Sequence, residues 1–320
     1  MKKWMIGFVT MLAVVTGCRQ REPQGTMALE EQQAVYYWRT DLRLDSTERA
    51  FLTAYHVKKV YCRYFDVVMK DEGPMPNATL TFSDTLPSSV EVVPTVYITE
   101  DCMHERHEGL AKKLVEHIRQ MNETNDISGV REIQIDCDFT ANSRQVYYEF
   151  LKEVVSEWSK VEGQRSKDEG QRSKDEGQRS KVSPLTPHLS PLVSTTIRLH
   201  QLSMPVPPVD YGVLMIYNTG DPRKFMERNP ILDMRDVAPY LSRLKGYQLP
   251  LAAAYPVYSW QRTIHGVHVE HTVEADEILK VKKAVESRRP DLSRTIITYH
   301  LDQTNINRYK PETYEAMYHH

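Results

Sequence analysis

The chain is poor in the residues that announce common chemistries. Its 320 residues include only four cysteines, Cys18, Cys62, Cys102 and Cys137. None stands in a Cys-x-x-Cys pair or at zinc-finger spacing, so neither a metal scaffold nor a disulfide framework is indicated. Cys62 and Cys137 fall in strand-like runs and read as small buried apolar residues. No Gly-x-Gly-x-x-Gly occurs, and GLAKKL lacks a Gly-rich phosphate loop, so no nucleotide cofactor is expected. The Gly-x-Ser-x-Gly elbow of hydrolases is missing, as are His-x-His and His-Glu-x-x-His. No excess of charge exists either. Lys plus Arg number 41 and Asp plus Glu 43, which gives no case for nucleic acid as a partner. The apolar run from Met5 to Thr16 falls short of the ~20 residues that a membrane-spanning helix needs.

What is present begins at the N-terminus. MKKWMIGFVTMLAVVTGC joins a basic end to an apolar run and small residues, the pattern of an export signal. Its ending, VTGC, resembles a bacterial lipobox. That resemblance implies cleavage before Cys18 and lipidation of its sulfur, with acyl chains holding the protein to a membrane. The expected organisation is a signal peptide over 1–17, a lipidated tether over 18–30 and a single domain over 31–320. The expected location is the bacterial cell envelope. Residue 19 is Arg rather than Asp, which favours the outer membrane over retention at the inner one.

One segment has nothing to bury. After Trp158 the unit EGQRSKD recurs with period seven, but no unit carries an apolar pair at coiled-coil spacing. Each holds a Gly and balanced charges, and Pro184, Pro187 and Pro191 follow. Residues 160–191 are therefore expected to be a disordered, low-complexity surface loop, which costs little in closure entropy.

The rest alternates between two periods. Eight runs rich in Val, Ile, Tyr and Thr read as strands: 34–40, 57–67, 92–99, 131–138, 194–201, 211–218, 249–260 and 294–301. Helical stripes lie at 46–55, 104–121, 143–158, 233–244 and 276–287, and a last short one starts at Pro311. This order predicts an α/β fold, a closed (β/α)8 barrel with one helix missing after the fifth strand. An open doubly wound sheet is the alternative. The stretch HGVHVEH, 265–271, reads as an exposed hairpin on the seventh loop.

The fourth run, REIQIDCD, poses the chemical question. Ile133, Ile135 and Cys137 share one face, and Gln134, Asp136 and Asp138 share the other. Carboxylates pointing into a barrel are costly unless paired. Arg198, on the neighbouring run, is the expected partner of Asp136, and Asp138 is expected to meet a ligand. Other strand tips add Trp38, Arg39, Arg63, Asp66, Tyr97, Glu100, Asp101, His200, Tyr217, Asn218, Tyr258, Trp260, His300 and Asp302. Flat rings mixed with carboxylates and amides suit a sugar, whose apolar face stacks on rings while its hydroxyls take polar groups.

Several runs, among them YYWRT, IQIDCDFTANSRQVYYEFL, GVLMIYNTGD and TYHLDQTNINRY, resemble an uncharacterised family of Bacteroides-type lipoproteins. More distantly, IDCD resembles the fourth strand of chitinase-type barrel glycoside hydrolases, which ends D-x-x-D-x-D-x-E. The last two acids of that pattern fall on Asp136 and Asp138. Its essential Glu falls on Thr140, so the resemblance implies a sugar-related barrel without the family's proton donor.

Three functions are compatible with these features. The leading one is a glycoside-hydrolase-like lipoprotein acting on an extracytoplasmic glycan or oligosaccharide, with Asp138 as general acid, its pKa raised by burial and by Asp136, and Glu100, Asp101 or Asp302 as the second carboxylate. The second is a non-catalytic glycan-binding lipoprotein. The third is a metal-dependent hydrolase built on His200, His300 and Asp138. The first two need neither cofactor nor metal.

Overall fold

The computed structural model describes residues 29–175 and 191–319, with side chains described outside 162–175. Cys18 and the expected signal peptide lie outside the described residues.

Eight strands carry the fold: β1 (Gln32–Tyr37), β2 (Lys59–Lys70), β3 (Glu91–Ile98), β4 (Glu132–Asp136), β5 (Leu192–Arg198), β6 (Tyr211–Met215), β7 (Leu251–Pro256) and β8 (Thr295–Tyr299). Each pairs in parallel with the next. β8 also pairs in parallel with β1, so the sheet closes and the expected barrel forms. The helices pack outside: α1 (Ser46–Ala54), α2 (Leu110–Thr124), α3 (Arg144–Asp175), α4 (Ala275–Arg288) and α5 (Pro311–Tyr318). α1 starts at a capping box in which Asp45 and Glu48 satisfy each other's backbone amides. After β5 the chain makes only a 3-10 turn, Leu199–Ser203, before β6, as the short proline-rich crossover predicted.

Alternation on β4 sends Ile133 and Ile135 outward and Glu132, Gln134 and Asp136 inward. A barrel interior is normally filled by branched apolar groups, and here it is wired instead. Glu132 accepts from Lys59 Nζ of β2 at 2.7 Å, from Ser194 Oγ of β5 at 2.7 Å and from the Tyr211 hydroxyl of β6. Tyr211 in turn shares a hydrogen bond with Tyr61, and Tyr36 donates to Gln134 Oε1 at 2.8 Å. The buried charge is thus paired and fully hydrogen-bonded, the condition under which it is tolerated.

Some boundaries move. β4 ends at Asp136, two residues before the predicted end, so Asp138 stands on the following loop. Likewise β5 stops at Arg198, because Gln201 Oε1 caps its amide at 2.8 Å and starts the 3-10 turn that holds His200. β2 outruns its predicted end at 67 and folds back on an antiparallel strand, Gly73–Asn77. Pro74 and Pro76 disguised that strand, but edge strands accept proline. The seventh loop carries the expected hairpin, Trp260–Ile264 against Val267–His271. Its turn uses His265 and Gly266, both at positive φ. Where a loop was expected from Lys160, α3 runs on to Asp175. Glu, Gln, Lys and Arg favour helix and offset one Gly per heptad. The remainder of that loop, 176–190, lies outside the described residues.

Candidate functional site

The barrel's C-terminal rim gathers a compact cluster around Arg198. Its Nε donates to Asp138 Oδ1, and its Nη2 lies 3.5 Å from Asp136 Oδ1. The Thr196 hydroxyl, one inward position earlier on β5, also donates to Asp136 Oδ1, at 2.6 Å. The guanidinium stands 6.0 Å from the centre of the Tyr217 ring. One fork of β5 thus holds both acids of the fourth strand's tip. The expected pairing of Asp136 with Arg198 is present, and Asp138 shares it.

The two acids differ in their surroundings. Asp136 is buried, and burial pushes its pKa up, with Arg198 opposing and Asp138 adding to the rise. Asp138 is half exposed. The burial expected at Asp138 is therefore found one inward position deeper, because the strand ends between the two residues.

Rings form the floor. Tyr299, at the tip of β8, lies 4.7 Å from Tyr217, 5.7 Å from Trp38, 5.5 Å from Tyr36 and 5.5 Å from Tyr258 between ring centres. The Tyr258 hydroxyl donates to Asn218 Oδ1, and Asn218 takes a left-handed backbone, φ 52°, that Asn tolerates better than most residues. Across the mouth Arg63 Nε donates to Asp66 Oδ1 at 2.7 Å while its guanidinium sits 5.6 Å from the Trp38 ring. Tyr97 borders the acids, and burial first, then the charges of Asp138 and Asp136, lift its hydroxyl to about 12. It stays protonated and able to donate. Burial lowers the pKa of His200, beside Asp138 and Arg198, so it is neutral at pH 7.

Asp136, Asp138, Arg198, Trp38, Tyr97, Tyr217, Asn218 and His200 thus come together, and other expected residues do not. Arg39, two residues past the end of β1, stacks 4.5 Å from Tyr37 and binds Glu48 of α1 at 2.8 Å. Asp302 lies 3.9 Å from Arg39 and caps the turn after β8 through Thr304 N. His300 is half-buried near that pair, and desolvation lowers its pKa against the opposing charge of Asp302. Glu100 accepts from Thr140 Oγ1 at 2.9 Å and pairs with His104 at 2.7 Å. Hydrogen bonds from Ser143, Thr140 and His104 hold it below the usual carboxylate range. Asp101 caps the amide of Cys102. Trp260 packs on Phe225, 5.6 Å away, and under Arg262 at 4.6 Å. Among the described residues no group of three His, Cys, Asp or Glu side chains is arranged to hold a metal ion, and His300 is not in the cluster that holds His200 and Asp138.

Tyr299 is the residue that sequence reasoning missed. On β8 the Thr298 hydroxyl bonds Tyr318 of α5, so Thr298 faces out and Tyr299 faces in. The alternation of TYHL carries that signal.

No family model and no curated protein matches the sequence. Solved structures do match. A chitinase from Bacteroides thetaiotaomicron superimposes with a TM-score of 0.51 at 12% identity, covering 91% of this chain and 99% of that one. The likeness is one of fold. A chitinase from Chromobacterium violaceum ATCC 12472 gives 0.48 at 12% identity over 87% and 97%. A tamarind chitinase-like lectin gives 0.44 at 8% identity over 88% and 99%. The chain thus shares a closed-barrel fold with the first of these.

Proposed function

We propose that the mouth binds a glycan chain without hydrolysing it, and that the protein is a lipoprotein of the bacterial cell envelope anchored through Cys18. One observation carries the binding reading: Arg198 stands between the two acids best placed for chemistry. Hydrolysis by paired carboxyls needs one acid on each side of the scissile bond. Asp136 and Asp138 instead share one cation on one side. The other candidates, Glu100, Asp101 and Asp302, are each tied to a partner of their own. Thr140, at the position of the chitinase-type proton donor, donates to Glu100 rather than replacing it. The half-buried rings of Trp38 and Tyr299, backed by the buried Tyr217, supply a stacking floor, with Asp138 and Tyr97 as polar contacts, the mixture of a small-ligand site.

A hydrolytic reading keeps one support. Burial raises the pKa of Asp136, the direction that a general acid needs. The test is a screen of the full chain against a glycan array, followed by incubation with every glycan bound. The expected result is binding with no product, weakened at least about tenfold by Trp38→Ala, the scale of ~1.4 kcal/mol. Product release that Asp136→Asn abolishes would overturn the binding reading in favour of hydrolysis.

A further inference from the structure

The charges of the mouth say which glycans it takes. The site holds two guanidinium groups, and each is already matched. Arg198 pairs with Asp138 through Nε and lies 3.5 Å from Asp136 through Nη2, while its Nη1 is buried without a partner. Arg63 is spent on Asp66 through both nitrogens of its fork, Nε at 2.7 Å and Nη2. The side chains of the two arginines are only 17% and 19% exposed, whereas that of Asp138 is 50% exposed. The charge that meets an incoming ligand is therefore negative, and the positive charge lies behind it. His200 adds little positive charge at neutral pH, since partial desolvation lowers its pKa below the ordinary imidazole value. Tyr97 offers a neutral donor. Arg39, the next cation outward, is bound to Glu48 by a two-oxygen clamp at 2.8 and 2.9 Å.

We infer that the mouth selects uncharged glycans and rejects acidic ones, with Asp138 as the residue that enforces the choice. This rests on the reading that the mouth binds a glycan. A uronic-acid carboxylate or a sulfate placed on the ring floor would face the exposed edge of Asp138. It would meet Arg198 and Arg63 only behind the carboxylates already paired with them. To gain one it would have to displace Asp138 from Arg198 or Asp66 from Arg63, exposing a carboxylate to another carboxylate. An uncharged sugar disturbs neither pair: its hydroxyls donate to Asp138 and accept from Tyr97. Exclusion by a fixed like charge is a means of specificity that works without any added attraction. The rings alone supply no such discrimination, since a hexose and its uronic acid present the same apolar face.

The test pairs oligosaccharides of one backbone in two forms, neutral hexose and the corresponding uronic acid. Binding of the full chain and of Asp138→Asn is measured at low and at high salt, with the melting point of the variant checked alongside. In the wild type the neutral form is expected to bind at least about tenfold more tightly at low salt, and the gap to shrink at high salt, where exposed charges are screened. The gap is also expected to narrow in Asp138→Asn while the neutral form still binds. Equal or tighter binding of the acidic form by the wild type overturns the charge inference alone. So does a gap that Asp138→Asn leaves unchanged in a folded variant. Binding of neither form across the array overturns the glycan reading, and this inference with it.

Discussion

Replacing Asp136 by Asn separates two accounts of the mouth by their magnitudes. If Asp136 is chiefly an ionised partner of Arg198, removing its charge breaks a buried ion pair and costs about 3–5 kcal/mol. The geometry argues otherwise. Arg198 keeps Asp138 in the variant, and Asn keeps an oxygen for the Thr196 hydroxyl, now 2.6 Å from Asp136 Oδ1. Burial raises the pKa of Asp136 in the folded chain above its unfolded value. The folded protein therefore binds that proton more tightly. The stabilisation this gives is full below the unfolded value of about 3.9, and it is lost as the pH rises through the folded pKa. Asn carries no such proton. Relative to wild type, the variant should thus gain stability between about pH 4 and pH 7, by ~1.4 kcal/mol for each unit by which burial lifts the pKa. At pH 7 it should lie within about 1 kcal/mol of wild type or above it, the range of a single neutral hydrogen bond. Urea unfolding of both proteins at the two pH values measures this. A loss of ~3 kcal/mol or more at pH 7, with no relative gain between the two pH values, would refute the argument and restore Asp136 as an ionic strut.

Three further outcomes are expected. Gly212→Ala places a Cβ 2.8 Å from Ile197 Cγ1 and 3.0 Å from side-chain carbons of Leu249 and Leu251; overpacking of this kind costs about 1–3 kcal/mol, and an unchanged melting curve would show that β5 and the β6–β7 connection yield freely. Tyr211→Phe deletes the hydroxyl that serves both Glu132 and Tyr61, and a loss of about 1–3 kcal/mol in chemical unfolding is expected for the stranded buried groups; a neutral result would mean that water takes its place. Cys18→Ala should abolish palmitate labelling and release the protein from the membrane fraction, whereas equal labelling of the mutant would remove the lipid anchor.

Most of the barrel was legible because its signals are local. Eight β-rich runs and the helical stripes between them each follow from hydrophobic period, and the missing helix after β5 follows from a short crossover with three prolines. Which side chains meet at the rim was legible only as far as parity could be counted. Asp136 and Arg198 were paired correctly because both lie inside regular strands, where inward and outward strictly alternate. Asp138, His200 and His300 lie just past strand ends, where a cap or a turn resets the direction; Asp138 and His200 still reach the cluster, whereas His300 sits by Asp302 and Arg39. Burial was harder still. Two acids two residues apart look alike in sequence, yet Asp136 lies under the rings and Asp138 stands in water, a difference decided by where β4 stops.

The parallel run of all eight strands gives this cup a fixed up and down. Every strand enters at the floor and leaves at the mouth, and the described chain itself begins at the floor, where Leu29 and Glu30 carbonyls accept from Arg294 and from the Thr295 hydroxyl at the start of β8. α3 descends the outside from the mouth, and the seventeen residues after Trp158 carry its backbone about 25 Å further in the same direction. On the proposed anchor, a leash of the eleven peptide links from Cys18 to Leu29 reaches at most ~40 Å. On that anchor the opening would look away from the bilayer, since it lies opposite the end at which the described chain begins. A cup held in this way presents its mouth to material arriving from the surrounding medium and turns its base to whatever is embedded beneath it.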